Sequence, residues 1–198
     1  MPNFRNTTPK RRAITKSVSS HSDHRADLRL DFSERCGYCN AIDSWKVTYY
    51  EIDHFIPQKR NKQPFLTIKS NTDYSNLVYA CRSCNNSKRN KWPTGDQNVP
   101  NLNNEGFVDP CDDNYNTHFE RSSKGQIRYS TDLGKWIHNA LNFGKPQHEI
   151  LWNLEELRKM IDEIEGLNTK LNSHPKVQNL LLDTYRNFVS YIDQFRTL

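Results

Sequence analysis

Apolar residues change their spacing twice along this chain. Residues 1–22 (MPNFRNTTPKRRAITKSVSSHS) are polar, with few large apolar side chains, and read as a basic flexible arm. Asp23 to Arg35 sets Ala26, Leu28, Leu30 and Phe32 among charges, which predicts a short helix. Lys46 to Ile56 (KVTYYEIDHFI) is β-branched and aromatic and predicts a strand, ended by Pro57. A polar loop over 58–75 leads to Leu77–Ala80 (LVYA), a second short strand. Asn85 to Asn90 begins a helix or turn that Pro93 ends. Residues 96–130 keep no period and read as an irregular connection.

From residue 131 the spacing becomes helical. Ser130 or Thr131 can cap a helix through Leu133, Trp136, Ile137, Ala140 and Leu141, with Gly144 closing it. Ile150, Leu154, Leu157, Ile161 and Ile164 mark a longer helix. Ser173 with Pro175 opens another, carrying Leu181, Tyr185, Phe188, Ile192 and Phe195. These two predict an antiparallel hairpin. The division expected is therefore an arm (1–22), a small α+β core (23–95), a connection (96–130) and a helical part (131–198).

Composition excludes some classes. Hydrophobic residues are 34% of the 198, which places part of the chain outside any core. No run approaches the roughly 18 apolar residues of a membrane span, and the N-terminus lacks the apolar core of a signal peptide. A cytoplasmic protein with no membrane partner is expected. Charge is uneven: residues 1–22 carry five basic and no acidic side chains, and 23–92 carry twelve and eight. The balance reverses to three and six over 93–130, and to eight and nine over 131–198. A polyanion suits the basic first half.

Cysteine spacing adds chemistry. Cys36-x-x-Cys39 and Cys81-x-x-Cys84 are two knuckles that can place four sulfurs around one zinc ion, and Cys111 is left over as a packed thiol. Four thiolates leave no open position, so this zinc is structural. Forty-one residues separate the pairs, more than in a simple zinc ribbon, so a functional unit sits between them. It contains Glu51, Asp53, His54 and Asn76.

The order Cys36-x-x-Cys39, Asp53-His54-Phe55-Ile56-Pro57, Asn76-Leu77, Cys81-x-x-Cys84-Asn85-Asn86-Ser87-Lys88 resembles the HNH endonuclease family. The resemblance covers about a quarter of the chain. It implies a ββα-metal core stabilised by the four-cysteine zinc site, with a helical C-terminal part appended. It further implies DNA as partner, His54 as general base, Asp53 as ligand of a catalytic magnesium or manganese ion, and Asn76 as the residue that holds the loop around the histidine. The family's final histidine is replaced by Asn85, whose amide oxygen suits a hard cation; Asn86 competes for that role. Lys59, Arg60, Arg82, Lys88, Arg89 and Lys91 are the candidate phosphate contacts. Glu51 reads as a solvated strand residue, His118 as structural, and Trp45 and Trp92 as packing.

Three readings of role follow. The first is a metal-dependent DNA endonuclease. A non-catalytic zinc-dependent nucleic-acid-binding module is the rival from another class. Small HNH proteins also resemble the nuclease subunit of Septu-type anti-phage systems, or nucleases of phages and mobile elements. In the Septu case a separate ATPase or sensor subunit docks on the C-terminal helices, since this chain carries no GxxxxGK[ST] phosphate loop.

Overall fold

A computed structural model describes residues 3–45, 49–171 and 174–197. The chain forms two compact units, Met1–Ser123 with Ile127–Gly144, and Lys124–Gln126 with Lys145–Leu198.

The first unit is built on two strands and a helix. A single 3-10 turn, His21–His24, runs into helix α1 (Arg25–Asp31). Strand β1 (Tyr50–His54) pairs antiparallel with β4 (Leu77–Cys81), in a register that sets Tyr50 opposite Cys81 and His54 opposite Leu77. The short hairpin of β2 (Lys59–Arg60) and β3 (Gln63–Pro64) lies in the loop between them. Every β4 residue is buried, as an unbroken apolar run requires. Helix α2 (Arg82–Lys88) follows β4 without a linker. The expected first strand begins at Lys46, but Lys46–Thr48 lie outside the described residues.

Helix α2 begins three residues before the expected Asn85, with Cys81 at its N-cap. Asn85 is thus inside the helix and is not its cap. The zinc knuckle and the first helical turn are the same stretch of chain, so the sulfurs of Cys81 and Cys84 are fixed by the helix start.

Of residues 1–22, expected as a flexible or loosely docked arm, the described residues 3–22 are docked. Phe4 and Arg5 are buried. Arg5 donates to the carbonyls of Gly37 (3.2 Å) and Pro110 (2.6 Å), and Arg11 donates to Leu77 O (2.6 Å) and pairs with Asp109 (2.9 Å). Arg12 pairs with Asp31, and Lys16 with Asp27. The basic charge of this segment is thus largely spent on neighbouring acids and carbonyls within the unit.

The expected irregular connection also carries structure. It holds the hairpins β5 (Asn101–Leu102) with β6 (Glu105–Gly106), and β7 (Phe119–Arg121) with β8 (Ile127–Tyr129), around a 3-10 helix at Asp113–His118. Helix α3 (Asp132–Ala140) was expected in the helical part but belongs to the first unit. Thr131 caps it, accepting from Gly134 N, and His118 Nδ1 lies 2.7 Å from the same hydroxyl. Its buried face of Leu133, Ile137 and Ala140 explains the placement, together with Phe107 against Trp136 and Phe119 against Phe143.

The second unit is a helical hairpin, α4 (Pro146–Lys170) and α5 (Pro175–Arg196). Each starts with proline at its first position, where the missing N–H costs nothing. Ser173, expected to open α5, lies outside the described residues; His174 is the N-cap. Ile150, Leu151, Leu154, Ile161 and Ile164 of α4 are buried. No described helix is long and apolar enough to cross a membrane.

Candidate active site

The four cysteines converge. Cys36, Cys39, Cys81 and Cys84 are all buried, and their sulfurs lie within 4.8 Å of one another. Cys39 Sγ and Cys81 Sγ are 3.8 Å apart. Tetrahedral bonds of about 2.3 Å hold sulfurs about 3.8 Å apart, so the donor set and its spacing fit zinc. The neighbouring sulfurs and burial push the Cys81 thiol up, and burial with the same neighbours pushes up Cys84. A cation among them removes that penalty by taking the thiolates.

Gly37 is required in the first knuckle. A Cβ there would stand 2.6 Å from the Phe32 ring and 2.8 Å from Val78. The knuckle carbonyls are also held from outside. Arg5 reaches Gly37 O, Arg121 donates to Cys39 O at 2.9 Å, and Tyr115 donates to Tyr38 O at 2.9 Å.

Beside the zinc site lies the end of β1. Strand alternation places Glu51 and Asp53 on one face. On α2, Asn85 and Lys88 are three apart and share a face. The two faces meet: Asn85 Nδ2 donates to Glu51 Oε2 at 2.6 Å, and Lys88 Nζ pairs with Asp53 Oδ2 at 3.0 Å. Tyr38, inside the first knuckle, donates its hydroxyl to the same Asp53 oxygen at 2.5 Å. Burial first, then Asp53, pushes the Tyr38 hydroxyl well above its ordinary value, so it stays a donor.

His54 closes the strand. Its Nε2 lies 2.8 Å from the carbonyl of Asn71, which can only accept, so Nε2 carries the proton and Nδ1 the lone pair. Burial holds the imidazole below its ordinary value, which keeps it neutral and basic near pH 7. Asn76 clasps the following loop. Its side chain accepts from Ile56 N (2.9 Å) and donates to Ile56 O (3.1 Å), while its carbonyl accepts from Phe55 N (2.8 Å). Lys88 Nζ also donates to His54 O at 2.8 Å.

The comparisons with known proteins meet this geometry at one place. The family model described as HNH endonuclease matches residues 36–91. Those residues are an HNH domain of the zinc-binding type. No curated protein and no solved structure matches the chain significantly.

Within the HNH domain the candidate residues separate. Asp53, His54 and Asn76 gather around the end of β1, Asn85 faces Glu51 two residues before Asp53, and Asn86 is exposed on α2. Lys88 is a correction: expected to contact DNA, its side chain is 0% exposed and its ammonium is consumed by Asp53 and His54 O. Lys59, Arg82 and Arg89 are exposed, and Arg60 is half-buried with Nε on Trp92 O at 3.1 Å. Lys91 is exposed along its stem, while its ammonium donates to Ala140 O at the end of α3. Trp92 packs edge-on against Phe55.

The sequence left Tyr38 unremarked and gave Lys88 the wrong role. Tyr38 lay in plain view between two cysteines, and the spacing of Lys88 from Cys84 and Asn85 marked it as facing inward.

The oxygens available to a hard cation are Asp53 Oδ1, the Asn85 amide oxygen and Glu51. This donor set suits magnesium or manganese. Lys88 and Tyr38 occupy the other oxygen of Asp53, which leaves a single oxygen of that carboxylate for a metal.

Proposed function

We propose that this protein is a metal-dependent endonuclease that hydrolyses DNA phosphodiester bonds. The arrangement of His54 carries this reading: an imidazole with its proton fixed on Nε2 by Asn71 O and its basic Nδ1 without a protein partner among the described residues. In the reaction His54 Nδ1 accepts a proton from water as the water oxygen attacks phosphorus. Asn76 holds the loop after the strand, and Lys88 fixes the His54 carbonyl, so the ring is set before substrate arrives.

Asp53 and Asn85 would hold a magnesium or manganese ion, and Asn85 is favoured over Asn86 because its amide faces β1. When bound, such an ion relieves charge on the phosphate and on the leaving 3′ oxygen. The products would carry a 5′ phosphate and a 3′ hydroxyl. Arg82, Arg89, Lys59, Arg60 and Lys91 supply sequence-independent phosphate contacts.

The test is cleavage of supercoiled plasmid with a panel of divalent metals. His54→Ala should reduce nicking by at least about 100-fold while keeping zinc and fold. Wild-type protein that binds DNA but never cuts it, with any metal, would leave the binding-module reading standing in its place. A role in anti-phage defence belongs to the same proposal. It predicts that a separate ATPase or sensor subunit encoded alongside co-purifies with the full chain and is lost when residues 145–198 are removed.

A further inference from the structure

His21 lies outside the segment matched by the family model, yet it touches the candidate base. Its ring meets that of His54 edge-on, with centroids 4.8 Å apart and planes at 66°. The turn that carries it is braced. Ser20 and Asp23 form a reciprocal capping box across His21–His24. Lys16 Nζ donates to Asp23 O at 3.1 Å. His24, three residues on, donates from Nε2 to Thr72 O at 3.2 Å and packs edge-on against Tyr74.

His21 itself is half-exposed, and no described protein group hydrogen-bonds its ring nitrogens. A histidine that only fills space is normally buried with its nitrogens satisfied. This one is held firmly, wetted, and aimed beside the base with its hydrogen-bonding capacity unspent.

We propose that His21 is a second catalytic residue of this site, donating a hydrogen bond to a non-bridging oxygen of the scissile phosphate. The inference rests on the nuclease reading above. In that reaction the water oxygen bonds to phosphorus, its proton goes to His54 Nδ1, and the bond from phosphorus to the 3′ oxygen breaks. The leaving oxygen takes its proton from solvent water. A group beside His54 stands on the attacking side, where the non-bridging oxygens spread around the reaction axis. His21 neither gains nor loses a proton overall; it stabilises charge that grows on those oxygens.

The experiment compares His21→Phe, His21→Gln and His21→Ala with wild type in steady-state plasmid nicking by the full chain. Zinc content and circular dichroism serve as fold controls. Phenylalanine keeps the ring contact with His54 and removes the donor; glutamine keeps a donor without the ring. His21→Phe and His21→Ala should lower kcat by about 100-fold with KM little changed, and His21→Gln should recover at least about tenfold of that loss. Wild-type rates for His21→Phe would overturn the proposal, because packing alone would then explain the contact. Faster cleavage by His21→Ala would also overturn it, by making the turn a cover over the site. Cleavage by wild type that ignores His54→Ala would instead sink the nuclease reading, and the role of His21 with it.

Discussion

Lys88 has none of its side chain in water, and its neighbourhood supplies the partners for its Nζ. Its ammonium touches Asp53 Oδ2 and His54 O, and the face of Phe107 lies 5.7 Å away. Taking both ions out of water is costly, so the pair need not add net stability, but removing one partner strands the other. Lys88→Met should therefore destabilise the first unit by about 3 kcal/mol in urea denaturation of the zinc-loaded protein without added magnesium or manganese. Adding Asp53→Asn should recover most of that loss, since Tyr38 can still donate to the amide oxygen. A single substitution costing under about 1 kcal/mol would show that water already reaches the pair. From the sequence, Lys88 counted as one of six basic residues for DNA because charge alone does not tell an inward helix face from an outward one. Its spacing of four from Cys84 and three from Asn85 did carry that information, once α2 was known to begin at Arg82. His54 and Asn76 were named through the family resemblance instead; in the fold their partners are backbone groups within about twenty residues, Asn71 O for His54 and Ile56 for Asn76.

At the level of elements, the zinc knuckle is an anchor that two distant segments tighten. Arg5 from the N-terminal segment and Arg121 from β7 donate to carbonyls of Gly37 and Cys39, and Tyr115 holds the carbonyl of Tyr38 between them. Phe4 packs at a tilt against Phe119 and Tyr115, closing the same layer. Such groups orient first ligands without touching the metal, and their loss typically weakens binding about 10- to 100-fold. Arg121→Ala should raise the zinc dissociation constant by about that factor, read by competition with a chromophoric chelator. Unchanged affinity would mean that the cysteines alone shape the knuckle. None of this layer could be read from the chain. Its hydrogen bonds join residues 32 to 111 positions apart, from stretches with no hydrophobic period, so no local pattern announces them. The strands β1 and β4 and the helices α4 and α5 were legible because periodicity is a local property; the docking of residues 3–22 and the capture of α3 were not, because each depends on what lies across the fold.

Across the whole molecule, the two units depend on metal to different degrees. In the first, four buried cysteines bring the segment after α1 to the junction of β4 and α2, so a zinc ion held by them would close the ββα core. Without it, buried thiols replace a strong set of bonds, and a small core of short strands has little else to hold it. The hairpin of α4 and α5 contains no cysteine and holds its buried stripe of Ile150, Leu151, Leu154, Ile161 and Ile164 without metal. Helices α4 and α5, 25 and 22 residues long, outweigh α1, α2 and α3 at 7, 7 and 9. Stripping zinc with a strong chelator should therefore unfold the first unit and leave about two-thirds of the helical circular dichroism at 222 nm. The retained signal should melt in a separate transition that zinc does not move, while re-adding zinc restores the lost third. Complete loss of helical signal on chelation would mean that the hairpin does not stand without the first unit. No loss would mean that the cysteine cluster is a set of packed thiols and that the core is held by its apolar contacts alone.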